Sequence, residues 1–153
     1  MVKEAFSLIL FVFFLQAAAL ADGAPEIYTP AEKKRLTSAK SLDDRIRVYD
    51  SAFERIRKEI EKDIRENRFE DAARALSNWS ALLGESLADI GQNTNPKKKS
   101  NRLRQYEINL RQAISGLRTL RSRATMDLYD SFTAFGEQAE ETRRKFMDIL
   151  FGL

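Results

Sequence analysis

The stretch that decides the fold is "LDDRIRVYDSAFERIRKEIEKDI", residues 42–64. Its apolar residues fall at Leu42, Ile46, Tyr49, Phe53, Ile56, Ile60 and Ile64, in steps of four and three. That spacing lays a single apolar stripe along one face of a helix. The other faces place an acid four residues before a base at Asp43–Arg47, Glu54–Lys58 and Glu61–Arg65. Such pairs add only about 0.2–0.5 kcal/mol each. Burial of the stripe against other helices must therefore hold the segment in place.

Upstream, Thr29-Pro30-Ala31-Glu32 has the form of a capping box, with Thr as the N-cap, Pro at the first helical position and Glu at N3. A short helix follows to about Lys40, and Ser41-Leu42-Asp43-Asp44 gives a second start signal. Downstream, Asn67-Arg68 predicts a tight turn, because Asn tolerates the left-handed backbone region. A third helix then carries Phe69, Ala72, Ala73, Leu76, Trp79, Leu83, Leu87 and Ile90. "GQNTNPKKKS", residues 91–100, breaks the rhythm, and Ser100 or Asn101 caps the next helix. There Leu103, Tyr106, Leu110, Ala113, Leu117, Leu120 and Ala124 form the seam. A last helix from about Thr125 carries Tyr129, Phe132, Phe135, Ala139, Phe146, Ile149 and Leu150.

No stretch alternates with period two, so strands are not expected. The fold class is all-α: an antiparallel helical bundle of about four long helices plus a short N-terminal helix. Heptad-like seams also suit a coiled coil or a homodimer, and that alternative stays open. The "NRFEDA" corner is similar to the inter-helix corner of tetratricopeptide repeats. No second copy follows at their period of about 34 residues, which argues against a repeat array.

The first 21 residues read as a signal peptide. Lys3 supplies a weak charged start, Ala5 to Leu15 form an apolar run, and Ala19-Leu20-Ala21 offers a small-x-small cleavage site. The run falls short of the about 20 residues that span a bilayer, so after cleavage no transmembrane span is expected. An uncleaved anchor is the competing reading. Residues 22–153 then form one exported domain, periplasmic or secreted. The 153-residue chain has no cysteine and no histidine. Disulfides, the usual zinc, haem and copper ligand sets, and Ser-His-Asp or Cys-His catalysis are thereby excluded. Carboxylate-only catalysis lacks any Gly-rich loop or pocket-framing pattern, so neither an enzyme nor a cofactor is expected. Asn78-Trp79-Ser80 matches a glycosylation sequon, but its mid-helix position makes a chance match the better reading.

Charge singles out one segment. Residues 97–123 hold Lys97, Lys98, Lys99, Arg102, Arg104, Arg111, Arg118, Arg121 and Arg123 against Glu107 alone, whereas the segments on either side are slightly acidic. Arg104, Arg111 and Arg118 stand seven apart, nearly in line along one side of the seam, while Arg102 and Arg123 flank the other. Two readings compete. The arginines are neutralised internally, by Asp127 and Asp130 or by acids between Glu54 and Glu70; or Lys97, Lys98, Lys99, Arg102, Arg104, Arg111 and Arg118 form a face for an anionic partner. No aromatic residue interleaves with the bases except Tyr106 on the seam, so sequence-specific nucleic-acid recognition is not expected. The end "RRKFMDILFGL", residues 143–153, carries more apolar residues than one stripe needs. It either closes the core or offers an interaction patch.

"KSLDDRIRVYDSAFERI" and "NRLRQYEINLRQAISGL" resemble exported, helical, acidobacteria-type bacterial proteins of unassigned function, over most of residues 22–153. That resemblance implies export and an all-helical build, and brings no activity with it. The function expected is a non-enzymatic cell-envelope interaction or structural protein whose basic face meets an acidic protein or another anionic envelope surface. The alternative is a small periplasmic holdase-type chaperone. The leucine-threonine-x-x-glutamine signature of one such family is not met, because "LTSAK" ends in Lys40.

Overall fold

A computed structural model describes residues 26–153. The signal peptide expected at residues 1–21, with its cleavage site after Ala21, lies outside the described residues. Those residues fold into a helical bundle of five helices and no strand: α1 (Pro30–Ser38), α2 (Leu42–Arg65), α3 (Phe69–Asn93), α4 (Asn101–Arg121) and α5 (Met126–Phe151).

The helix starts are set locally. Thr29 Oγ1 accepts from the Glu32 N–H at 3.2 Å, and the Glu32 carboxylate accepts from the Thr29 N–H at 2.8 Å, which completes the capping box. Ser41 and Ser100 cap α2 and α4 by accepting from the N–H groups of Asp44 and Leu103. Asn67 sits at φ 59°, a left-handed conformation that turns the chain from α2 into α3. α3 runs on through Gly91 to Asn93, past the glycine where the sequence suggested a break. A glycine mid-helix costs only about 1 kcal/mol, and burial of Ile90 on the same turn offsets it.

α2 pairs with α3 and α4 with α5, each pair an antiparallel hairpin. α2 also lies beside α4 and α3 beside α5. These second contacts are parallel: Ser100 bonds Asp43, and nine residues further along α4 Asn109 bonds Asp50, seven further along α2. The 94–100 connection therefore crosses the end of the bundle, from α3 to the diagonally opposite α4. Four aromatic contacts tie the layers together. Phe53 of α2 meets Trp79 of α3 at 4.9 Å and Tyr106 of α4 at 5.8 Å, both edge to face. Trp79 meets Phe135 at 4.5 Å, and Tyr106 meets Phe146 at 5.4 Å, both on α5.

The buried arcs are wider than single stripes because each long helix touches two others. On α3, Ala75, Leu82 and Ser86 are buried, while Phe69, Ala73 and Leu87 are only partly so. On α5, Leu128 turns inward and Tyr129, expected on the seam, is exposed. α1 buries little apolar surface. It is held instead by Arg55, whose guanidinium donates to Glu32 at 2.9 and 3.1 Å and to the Ile27 carbonyl at 2.6 Å.

Candidate functional site

The basic segment begins in a turn that aims its lysines outward. Asn95 Oδ1 accepts from the Lys97 N–H at 2.9 Å, and the Asn95 carbonyl accepts from the Lys98 N–H at 3.0 Å. Pro96 holds the φ that the second turn position requires. Ser100 then donates to Asp43 at 2.8 Å, fastening the loop to the start of α2. Lys97, Lys98 and Lys99 are all exposed, as are Arg102, Arg104, Arg111 and Arg118 on α4.

The structure divides these residues rather than gathering them into one patch. Lys99, Arg104 and Arg111 rim a groove of about 330 Å³ between α4 and the end of α5, whose apolar wall is Ile108, Met147, Leu150 and Phe151. Lys98 stands with Lys99 over a smaller hollow against Leu103, Ile149 and Leu150. Arg118 lines a second groove of about 430 Å³ further along the same hairpin, with Arg121, Arg144, Glu137 and Glu140. Arg102 lies toward α2, where its charge acts on Asp50. Burial pushes the Asp50 carboxyl above its ordinary range, against the hydrogen bond from Asn109 and the charge of Arg102.

Pairing sets this segment apart from most other arginines, with Arg35, Arg65 and Arg144 the exceptions among the described residues. Arg45, Arg47, Arg55, Arg57, Arg68 and Arg74 each sit within 4 Å of a carboxylate. The partners differ from those the i,i+4 spacing suggested. Arg47 takes Asp44, three residues before it, and Arg57 bridges Glu54, three residues before it, and Glu61, four residues after it; both spacings bring side chains together on a helix. Among the described residues, only Arg111 of the nine bases between 97 and 123 has an acid that near, Glu107 at 4.0 Å. Asp127 and Asp130, expected as internal partners, form no ion pair with them. Glu107 itself is buried and held at 3.2 Å by Arg143 of α5, so it is largely taken. Arg121 stacks its guanidinium on the Tyr129 ring at 4.7 Å, a contact that attracts the cation without neutralising it.

Sequence reasoning singled out the apolar end 143–153 as a candidate patch but missed that Ile108 of α4 joins it, that together they wall a groove beside the basic segment, and that Arg144 lines the second groove. The available signal was Ile108, an apolar residue outside the 103–124 seam. The end of α5 divides: Phe146 is buried, Ile149 and Leu150 are partly buried, and Phe151 is 60% exposed.

Two other polar constellations are structural. Asp89 accepts both arms of Arg45, at 2.7 and 3.0 Å, with Tyr49 Oη at 2.7 Å and Asn93 Nδ2 at 2.8 Å. Burial would raise its pKa, but these donors outweigh it and hold the carboxyl below its usual range. Glu32 is lowered in the same way: burial is overcome by Arg55 and the Thr29 N–H. Trp79 borders a hollow of about 180 Å³ between α2 and α4, and its buried Nε1 has no hydrogen-bond partner. No cluster of three or more acids suited to a metal ion occurs among the described residues, and no described helix is long and apolar enough to cross a membrane. Set against known proteins, the chain matches no family model, no curated protein and no solved structure.

Proposed function

We propose that residues 22–153 form a single exported domain, built as four long helices with a short leading helix, that works in the cell envelope as a non-enzymatic interaction protein. Of its basic residues, Lys97, Lys98, Lys99, Arg104 and Arg111, at one end of the bundle, bind an anionic partner, while Arg102 toward α2 and Arg118 further along the α4–α5 hairpin add to the attracting field. The observation that carries this reading is the contrast in pairing: Arg45, Arg47, Arg55, Arg57, Arg68 and Arg74 each meet an acid, whereas of the nine bases of 97–123, all exposed but the half-buried Arg121, only Arg111 does. A cluster of like charges destabilises a fold through self-repulsion, and an external anion relieves it. The holdase alternative needs broad apolar surface. The exposed large hydrophobics among the described residues are Met126, Tyr129, Phe151 and Leu153, at the two ends of α5, which favours the first reading.

The test is retention on a soluble or immobilised polyanion, such as heparin or polyglutamate, as salt is raised. Binding should weaken steeply as the screening length shortens. Changing Lys97, Lys98, Lys99 and Arg104 together to Gln should lower affinity roughly tenfold or more, at about 0.2–1 kcal/mol per exposed charge pair, with the melting temperature unchanged or raised as self-repulsion is relieved. Retention that is insensitive both to salt and to these four changes would remove the proposal.

A further inference from the structure

The basic face and the exposed end of α5 belong to one surface. The 94–100 loop, the first turns of α4 and the last turn of α5 meet at the same end of the bundle, with Lys98 and Lys99 beside Ile149, Leu150 and Phe151. Lys99 Nζ lies 5.9 Å from the centre of the Phe151 ring. From there the 330 Å³ groove runs inward along Ile108, Met147 and Leu150, with Arg104 and Arg111 on its rim. Three neighbouring acids are compensated by arginines outside the patch: Asp44 by Arg47, Asp89 by Arg45, and Glu107, which lines the groove, by Arg143. Asp43, which accepts only from the neutral Ser100 hydroxyl, and the exposed Asp148 have no ion-pair partner among the described residues, against five bases, Lys97, Lys98, Lys99, Arg104 and Arg111. Positive charge thus outweighs negative at this end, and it surrounds apolar surface rather than lying apart from it.

We infer that this end of the molecule docks on the surface of an anionic lipid bilayer. The inference rests on the basic-face reading above and names its partner. Lys97, Lys98 and Lys99 meet the anionic headgroups, the Phe151 ring enters the headgroup–acyl boundary, and an acyl chain lies against Met147 and Leu150 between the Arg104 and Arg111 rims. Charge complementarity selects the anion, and the apolar wall selects a lipid. A partner that offers charge alone, such as a nucleic-acid backbone, would satisfy the lysines and leave Phe151 and the groove in water. A bilayer interface takes basic and aromatic side chains side by side.

The experiment measures partition of the full chain onto vesicles of phosphatidylcholine alone and onto vesicles with about one-third phosphatidylglycerol. Residues 1–25 are common to every variant, so differences between variants report the folded domain. Anionic vesicles should bind the parent far better. K97Q/K98Q/K99Q should lose about fivefold per lysine, roughly a hundredfold in all. F151S should lose about tenfold, chiefly in the part of the binding that survives high salt. Lys58→Gln with Lys62→Gln, on α2, should bind as the parent does. All of these residues are exposed, and an unchanged helical melting curve will confirm that each variant folds. Equal binding to both vesicle types, or a lysine or Phe151 variant indistinguishable from the parent, overturns the inference. So does concentration-dependent self-association that shields Phe151, which would assign the apolar end to a second copy. If vesicle binding fails while polyanion retention persists, the lipid assignment falls and the basic face stands; if both fail, both fall.

Discussion

At the scale of single residues, two buried positions carry the largest consequences. Trp79 is fully buried and touches both Phe53 and Phe135, so it joins three helices at the centre of the core. Truncating it to Ala should cost about 3–5 kcal/mol in urea unfolding, from lost contact and the cavity left behind. Trp79→Phe should cost clearly less, because it keeps an aromatic ring and removes a buried N–H that has no partner. If Phe proves as costly as Ala, the ring contacts are not what holds that layer. Arg55 is the second position. Removing it leaves Glu32 buried and charged beneath α1. Arg55→Ala should lower stability by about 1.5–3 kcal/mol, the range for a hydrogen bond to a charged group. Amide exchange in α1 should rise before that of α2, since α1 buries only Glu32 and part of Leu36.

At the scale of elements, the helix ends were the most legible part of the chain. Thr29, Ser41, Asn67 and Ser100 act where the sequence placed them, because a cap or a left-handed turn involves only its own few neighbours. That locality makes the turn testable. Asn67→Gly should stabilise by a few tenths to about 1 kcal/mol by relieving the left-handed strain, and Asn67→Val should destabilise. Helix interiors offer a matching test. A Cβ added at Gly84 or Gly116 would meet nothing within 4 Å. Each Gly→Ala change there should therefore raise stability by about 1 kcal/mol, read as a higher urea midpoint with the same slope. Element faces were less legible. Tyr129 lies outside and Leu128 inside, although both are apolar and adjacent, because the direction of α5 relative to α3 and α4 decides which of them meets the core.

At the scale of the whole molecule, charge is the feature that spans helices. Glu32 and Asp89 have pKa values below their ordinary range. The stability they contribute is complete above the ordinary carboxylate range and is lost as pH falls through their lowered values. Asp50 is raised, so its ionisation opposes folding above that value and partly offsets them. Urea midpoints should therefore hold near neutrality and fall at acid pH below the ordinary carboxylate range, and Asp89→Asn should flatten that fall. An unchanged acid limb in Asp89→Asn would show that the Arg45–Asp89–Tyr49 cluster is not its source. For the candidate site, exposure of the three lysines and the parting of Arg102 from Arg104 could be read from helical periodicity. The groove beside Arg104 could not, because its other wall, Met147, Leu150 and Phe151, is supplied by a helix some forty residues further along the chain. By itself the sequence determined what short-range physics governs: which segments are helical, where they start and turn, and that one of them is strongly basic. Only the tertiary structure decided that α2 runs parallel to α4, that Glu107 is spent on Arg143, and that the remaining bases face outward unmatched, because charge pairing depends on which helices become neighbours, and that is settled when their wide apolar arcs are buried together.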